Sequence, residues 1–568
     1  MQNLMKRRSF FNFLAVGAFV LLLTGISGCQ LLGQGSPLTL LQGDNQTTPA
    51  AAMFVPRQAP ALVSLLVNPD RLGKQRSLNQ LKTNLLASTG LDYQRDLQPW
   101  LGNEITLAIA SLDLDHNVEN GRQPGYLMAL STTDSNKSRE FLQALFAKRA
   151  IAGTELGTEQ YKGVKLIYNS PKPQPDTKEL EGLSGAVVGD RFVLFANHPK
   201  VLREAINNVQ APDLGLSSSS QYQQALTLLP PRRIGVTFLN LGALSSVLGN
   251  QPEVEIFQSQ ILGLEPTSQG FAAKTTLLTT AATQENAAPA AADLSQPAKA
   301  LQYIPSTVSL AIAGSELNHL SNTDLNQLWT QISSGILGSE SEIVSRLVSQ
   351  PLSVLQTSWG IDLSRDIFSW VQGEYALGLL PNSEQANPDW VFVAEKSDAA
   401  TAGILDLDEL AKEQGLSISS LNLGEQKISA WTRLTSAPTT SPNLDAASIT
   451  LTAKVQGVHT TVGNYEILTN SIEAMNAVLK APQNQSLLDR HEFQESVKPI
   501  PQPNKGYLYL DWKASQVILE RQLPILKLLE VLGEPFFSRL RSLTVSSYGS
   551  EKGLLKGGIF FSLGGEGS

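Results

Sequence analysis

The chain has 568 residues, 42% hydrophobic and 17% charged, with a formal net charge of −8. That length accommodates two to four domains, and the composition is that of a globular chain, not a disordered or multi-span one. The acidic balance is a poor match for nucleic acid or an anionic lipid surface, so no nucleic-acid partner is expected.

Residues 1–28 read as an export leader. Lys6, Arg7 and Arg8 form a basic start, and an apolar run follows over 13–23. Ile26-Ser27-Gly28 then leads into Cys29, the only cysteine of the chain. The pattern resembles a bacterial lipoprotein signal peptide, which implies a diacylglycerol on Cys29. The alternative is an uncleaved helix over residues 9–28, nearly long enough to span a bilayer. Either way the sequence predicts a membrane-anchored protein of the cell envelope, facing the periplasm. Arg7-Arg8-Ser9-Phe10-Phe11 also matches part of a twin-arginine export signal. Removing the leader takes the net charge to −11. A single cysteine leaves no internal disulfide, so the folded parts must stand on their cores.

Residues 29–52, rich in Gly, Gln, Thr and Ser, read as a flexible spacer. Phe54-Val55-Pro56 opens the first repeat, and a strand is expected over 63–67. Leu78, Leu81, Leu85 and Leu86 share a helical spacing. Gly90 stands where a helix C-cap needs positive φ, and Asp92 is placed to cap a short second helix. Leu97, Trp100 and Leu101 would share its face, with Gly102 turning the chain into a strand over 105–110. Strands over 125–131 and 163–168 flank a helix capped at Asp134 or Ser135, whose apolar side is Phe141, Leu142, Leu145 and Phe146. Gly189-Asp190 marks a tight hairpin turn. Helices over 199–209 and 222–229, a strand over 235–241 and a hairpin over 263–279 complete the unit.

Residues 281–300, Ala- and Pro-rich without periodicity, read as a linker. After it the landmarks return. The stretch 90–109, GLDYQRDLQPWLGNEITLAI, reappears at 360–379 as GIDLSRDIFSWVQGEYALGL. Gly90, Asp92, Arg95, Asp96, Trp100, Glu104 and Leu107 match Gly360, Asp362, Arg365, Asp366, Trp370, Glu374 and Leu377. The chain therefore reads as a tandem duplication, 53–280 and 301–566, with extra helix around 328–352 in the second copy. Strands and helices alternate without a βαβ beat. The expected fold class is α+β: two tandem duplicated domains, each a mostly antiparallel sheet packed with helices.

Several runs carry a resemblance: Met53-Phe54-Val55-Pro56, the ten residues from Val63 to Leu72, the stretch from Gly90, and Glu159 to Val164. On these the chain resembles a family of uncharacterised cyanobacterial envelope proteins, a domain of unknown function. The resemblance covers roughly residues 52–563. It implies N-terminal anchoring and supplies no motif of catalytic residues.

Chemistry-bearing motifs are sparse. The histidines His116, His198, His319, His459 and His491 are scattered, without HExxH or a pair at helical spacing. Asp113, Asp115, Asn117 and Glu119 make an alternating acidic loop, but Val118 stands where an EF-hand needs Gly. No phosphate-binding loop, dinucleotide fingerprint or GxSxG elbow occurs. No catalytic residue, metal site or cofactor is therefore expected. Arg95, Asp96 and Glu104, with Arg365, Asp366 and Glu374, are read as structural: ion pairs and dipole compensation near helix starts. The expected function is a non-catalytic binding or scaffold component of the envelope, with an envelope protein or polymer as partner. The rival is a carboxylate-dependent hydrolase of envelope polymers working in an inter-domain cleft.

Overall fold

The computed structural model describes residues 47–68, 71, 93–114, 123–169, 183–248, 257–279, 294–315, 366–382, 388–439, 448–483, 485–516, 537–551 and 554–564. The leader, Cys29, the helically spaced Leu78, Leu81, Leu85 and Leu86, and the extra helix around 328–352 lie outside them. So do Gly90, Asp92, Gly360, Asp362 and Arg365.

Among the described residues ten strands precede residue 280: β1 (Ala61–Leu65), β2 (Leu101–Ser111), β3 (Gly125–Thr132), β4 (Leu156–Tyr161), β5 (Val164–Asn169), β6 (Ser184–Val188), β7 (Phe192–Ala196), β8 (Gly235–Asn240), β9 (Phe257–Pro266) and β10 (Gly270–Thr279). Ten follow: β11 (Leu310–Gly314), β12 (Tyr375–Leu380), β13 (Asp389–Glu395), β14 (Ser417–Leu423), β15 (Gln426–Thr439), β16 (Ser448–Val462), β17 (Tyr465–Thr469), β18 (Gly506–Asp511), β19 (Leu540–Glu551) and β20 (Leu554–Leu563). All pair antiparallel in one 20-stranded sheet. The pairings run β4-β5-β6-β7-β3-β2-β1-β8-β9-β10 through the first ten. The second ten run β14-β15-β16-β17-β13-β12-β11-β18-β19-β20. The two rows meet where β10 pairs β20. Read from either end, the sheet has the same connectivity.

Helices cover both faces. The first half carries α1 (Ser135–Ile151), α2 (Pro199–Gln210), α3 (Ser220–Thr227) and α4 (Leu241–Leu248). The second half carries α5 (Asp398–Glu413), α6 (Ile472–Lys480) and α7 (His491–Val497). Asp134 starts α1 by accepting from the amides of Asn136 and Lys137. Its Phe141, Leu142, Leu145 and Phe146 are buried, as their spacing predicts. α2 and α3 close an apolar layer with the turn Ala50–Phe54, and α6 and α7 do the same with Lys299–Tyr303. On the opposite face one cluster runs from Leu65 and Phe271 through Phe561 and Trp370 to α5. The fold is thus α+β, a large antiparallel sheet with several helices.

The sequence reading departs from the structure at several places. Residues 50–52 belong to the folded body instead of a spacer: Ala51 and Ala52 are fully buried in a 3₁₀ turn. The end of the Ala/Pro-rich linker is also folded, with Leu294 bridged to Asn504 and Ala298 buried. The short helix around Leu97 is a π-turn, Tyr93–Leu97. Gly102 lies inside β2, which begins at Leu101. A Cβ there would stand 2.5 Å from Ser131 Oγ, so Gly102 serves close strand approach, not a turn. The Gly189 turn is tight as expected, with φ of 57° at Gly189 and 55° at Asp190.

Candidate functional site

The repeated motif places its glutamates at two corners, one per half. Glu104 leaves β2 where the β2–β3 register slips between Leu101 and Ile105. It is 1% exposed. Its Oε1 accepts from the Ala51 amide at 2.8 Å and from Thr106 Oγ1 at 2.9 Å, and its Oε2 from the Ala50 amide at 3.1 Å. Thr106 in turn meets Ser64 Oγ at 2.8 Å. These are the orphan amides at the start of the 3₁₀ turn Ala50–Phe54, which no side chain of its own caps. Burial pushes the Glu104 carboxyl above its usual range, against the pull of the Ala51 and Ala50 amides, Thr106 and the Arg191 charge.

Glu374 does the same work with less burial. Its Oε2 accepts from the Lys299 amide at 2.6 Å, at the start of the turn Lys299–Tyr303, and faces Tyr465 Oη at 3.4 Å. The Glu104 amide donates to Ser131 Oγ at 2.8 Å, and the Glu374 amide to Glu395 Oε2 at 3.1 Å. Gly373 leaves room for that carboxylate, as Gly102 does for Ser131.

The other motif residues stand apart from these carboxylates. Arg95 forms a two-bond pair with its neighbour Asp96, Nε–Oδ1 2.8 Å and Nη2–Oδ2 2.9 Å. Trp100 Nε1 donates to the Asp96 carbonyl at 2.7 Å, and Trp370 Nε1 to that of Asp366 at 2.8 Å. Both indoles pack inward, Trp100 on Phe141 and Trp370 on Phe392 and Gly403. So the motif's indoles pin the π-turn and the 3₁₀ turn Phe368–Trp370, while its glutamates pin the opening turns. The glutamates were expected to compensate a nearby helix start; the starts they serve lie more than 50 residues upstream.

Sequence reasoning missed one polar cluster. Asp408 Oδ1 accepts from Trp431 Nε1 at 2.6 Å and contacts His459 Nε2 at 3.0 Å, with the Trp431 and His459 rings tilted 39° at 5.2 Å. The three residues lie on α5, β15 and β16, so nothing in their spacing joins them. In the first half the corresponding contact is apolar: a Cβ on Gly185 would meet Leu142 and Phe146. The Nε2 contact fixes which ring nitrogen of His459 faces the carboxylate. Ser429 stands opposite His459 across the β15–β16 ladder. Among the described residues no group of three or more His, Cys, Asp or Glu side chains could hold a metal ion. None of their helices is long and apolar enough to cross a membrane.

Among solved structures the chain is similar to crystal form I of TP0453, at 8% identity and a TM-score of 0.24, covering 41% of this chain and 80% of that one. Crystal form III of the same protein gives 9% identity and 0.23, covering 42% and 86%. Scores so low carry no argument about this fold. No curated protein matches the chain. A family model matches residues 14–563, and the chain belongs to that family, described as "Protein of unknown function (DUF3352)".

Proposed function

We propose that this protein is a non-catalytic, membrane-anchored component of the cell envelope that binds or scaffolds an envelope protein or polymer. It is built from two tandem copies of one α+β unit, the first ending near residue 280 and the second beginning near 294. Support for the duplication comes from the matched motif and the mirrored strand connectivity. Support for the anchor comes from the basic start, the apolar run and the lone Cys29.

One observation carries the non-catalytic reading. The two glutamates on which a hydrolase would depend are both turned onto main-chain amides, Ala50 and Ala51 in one half and Lys299 in the other. A general acid or nucleophile must reach a substrate oxygen or carbon, and a carboxylate committed to its own main-chain amides is poorly placed to do so. The duplicated motif is therefore read as fold-building.

The test is twofold. Intact-mass analysis of the membrane fraction should find the chain cleaved before Cys29 and diacylated there. Cys29→Ala should leave a full-length precursor. A soluble, unacylated chain with its leader attached would sink the anchor. Crosslinking in intact cells followed by pull-down should then retrieve one saturable envelope partner. Turnover of a purified envelope polymer, lost in Glu104→Gln or Glu374→Gln, would instead establish the hydrolase.

A further inference from the structure

The sheet ends in two strands that have a neighbour on one side only. β4 closes the end of the first half on β5, and β14 closes that of the second half on β15. Among the described residues no strand pairs with their outer sides. A free strand edge offers a row of unpaired N–H and C=O groups, and proteins blunt it with charge, proline or a bulge. β4 follows that rule: Glu159 lies mid-strand, ion-paired to Arg203, and Lys162 follows its last residue. β14 does not. Its sequence, SISSLNL, holds no charge and no proline. Its ladder with β15 runs from Ser417 opposite Thr432 to Leu423 opposite Gln426 without a bulge. Ser417, Ser420, Leu421 and Asn422 are exposed.

The turn sets which groups point outward. Leu423 and Gln426 flank the two-residue turn Gly424-Glu425, so they exchange main-chain hydrogen bonds. Every second residue back from there, Leu421, Ser419 and Ser417, is likewise bonded to β15. Ile418, Ser420 and Asn422 therefore turn N–H and C=O away from the sheet. Ser420 is the central residue of the strand. An antiparallel copy of β14, placed on a two-fold axis at Ser420, meets every one of these groups. Ser420 falls opposite itself, and Ile418 and Asn422 fall opposite each other, as narrow pairs that each exchange two hydrogen bonds. Between them Leu421 falls opposite Ser419, and the two Leu421 side chains meet on the diagonal. No charge in the strand faces its own copy, a clash that two-fold pairing of a charged edge would bring. The chain already joins its two halves by the same device, β10 on β20.

We propose that β14 is a dimerisation edge whose occupant is β14 of a second copy of this chain, paired antiparallel about Ser420. The sheet then runs on through both copies. A ladder across one pair of strands buries less surface than a standard interface, so the dimer is reversible. The far end of each chain is the charged β4, so association stops at two copies and does not grow into a filament.

The test is sedimentation of the full chain in detergent over a concentration series. Protein mass should rise with concentration from one chain toward two, and no further. Ser420→Pro removes an outward N–H without touching the β15 ladder, and should keep the chain monomeric. Thr158→Pro, the equivalent change in β4, should dimerise as wild type does. Ser420→Lys and Ser420→Glu each set like charges opposite one another on the axis, and each alone should be monomeric. Mixed, the two should form a dimer with one chain of each, a rescue that misfolded chains would not give. A wild type that stays monomeric up to about 0.1 mM overturns the proposal, even if β14 takes up a strand of another protein instead. So does a dimer that survives Ser420→Pro, a Lys and Glu pair that does not recombine, or an assembly that grows beyond two.

Discussion

At the scale of single residues, Glu104 shows how one buried carboxylate holds a chain entry in place. It accepts three hydrogen bonds, two from amides that have no other cap. Glu104→Ala leaves those donors buried and unsatisfied, at about 1–3 kcal/mol each before relaxation. We expect a loss of about 2–4 kcal/mol in denaturant unfolding. Glu374→Ala, on a less buried carboxylate that water can partly replace, should cost about 1 kcal/mol. Glu104→Gln removes the charge and one of the two acceptor oxygens, a loss that does not vary with pH. Because burial raises the folded pKa, folding favours the protonated form. That contribution is full below the unfolded glutamate value, about 4.3, and is lost as pH rises through the folded value. Wild type should therefore lose stability relative to Glu104→Gln as pH rises above the unfolded glutamate value. A difference that stays flat with pH would mean the buried carboxylate is not the cause. The recurrence of these glutamates was legible in the sequence. Their partners were not, because Ala50, Ala51 and Lys299 are distant in sequence and donate only main-chain amides.

Between elements, the two halves pack one helix onto one indole in different ways. Phe141 of α1 packs on Trp100 with the rings tilted 43° and centroids 5.1 Å apart. In α5 the matching contact is Gly403, where a Cβ would fall 2.5 Å from the Trp370 ring. A rigid indole cannot yield as a flexible side chain would. Gly403→Ala should lower stability by about 1–3 kcal/mol, despite the higher helix propensity of Ala. Phe141→Ala should lower it by about 3–5 kcal/mol through the cavity it leaves. An unchanged denaturation midpoint in Gly403→Ala would show that α5 shifts freely on the sheet. Elements with strong local signals were readable: the Asp134 cap, the apolar side of α1, the Gly189 turn and the closing hairpin. The serine-rich β14 and the Thr/Ser/Pro arm of β15 and β16 were not, since neither alternates cleanly and both gain order from their pairings. The Asp408–Trp431–His459 cluster was hidden for the same reason, its members meeting only when helix packs on sheet.

At the scale of the whole molecule, the consequential pairing is β10 with β20. Nine positions pair there, from Gly270 opposite Ser562 to Leu278 opposite Leu554. Each strand belongs to the closing hairpin of its own half, so each covers the edge that the other would expose. The motif match gave no sign of this edge-to-edge union, because pairing across such a sequence distance leaves no local trace. Leu264, Phe271 and Ala273 share an apolar cluster with Val545, Ile559 and Phe561, so separating the halves would open that core as well as the ladder. The expected consequence is one cooperative thermal transition for the chain, its calorimetric and van't Hoff enthalpies equal. Ala273 is buried at this seam and stands opposite Ile559. Ala273→Asp would set an unpaired charge there, favouring separation of the halves over local repacking. Its scan should resolve into two transitions, one for each half, while far-ultraviolet circular dichroism keeps its strand signature below the first. Two transitions in the wild type would mean that the seam does not couple the halves. A single, uniformly lowered transition in Ala273→Asp would mean that neither half stands without the other.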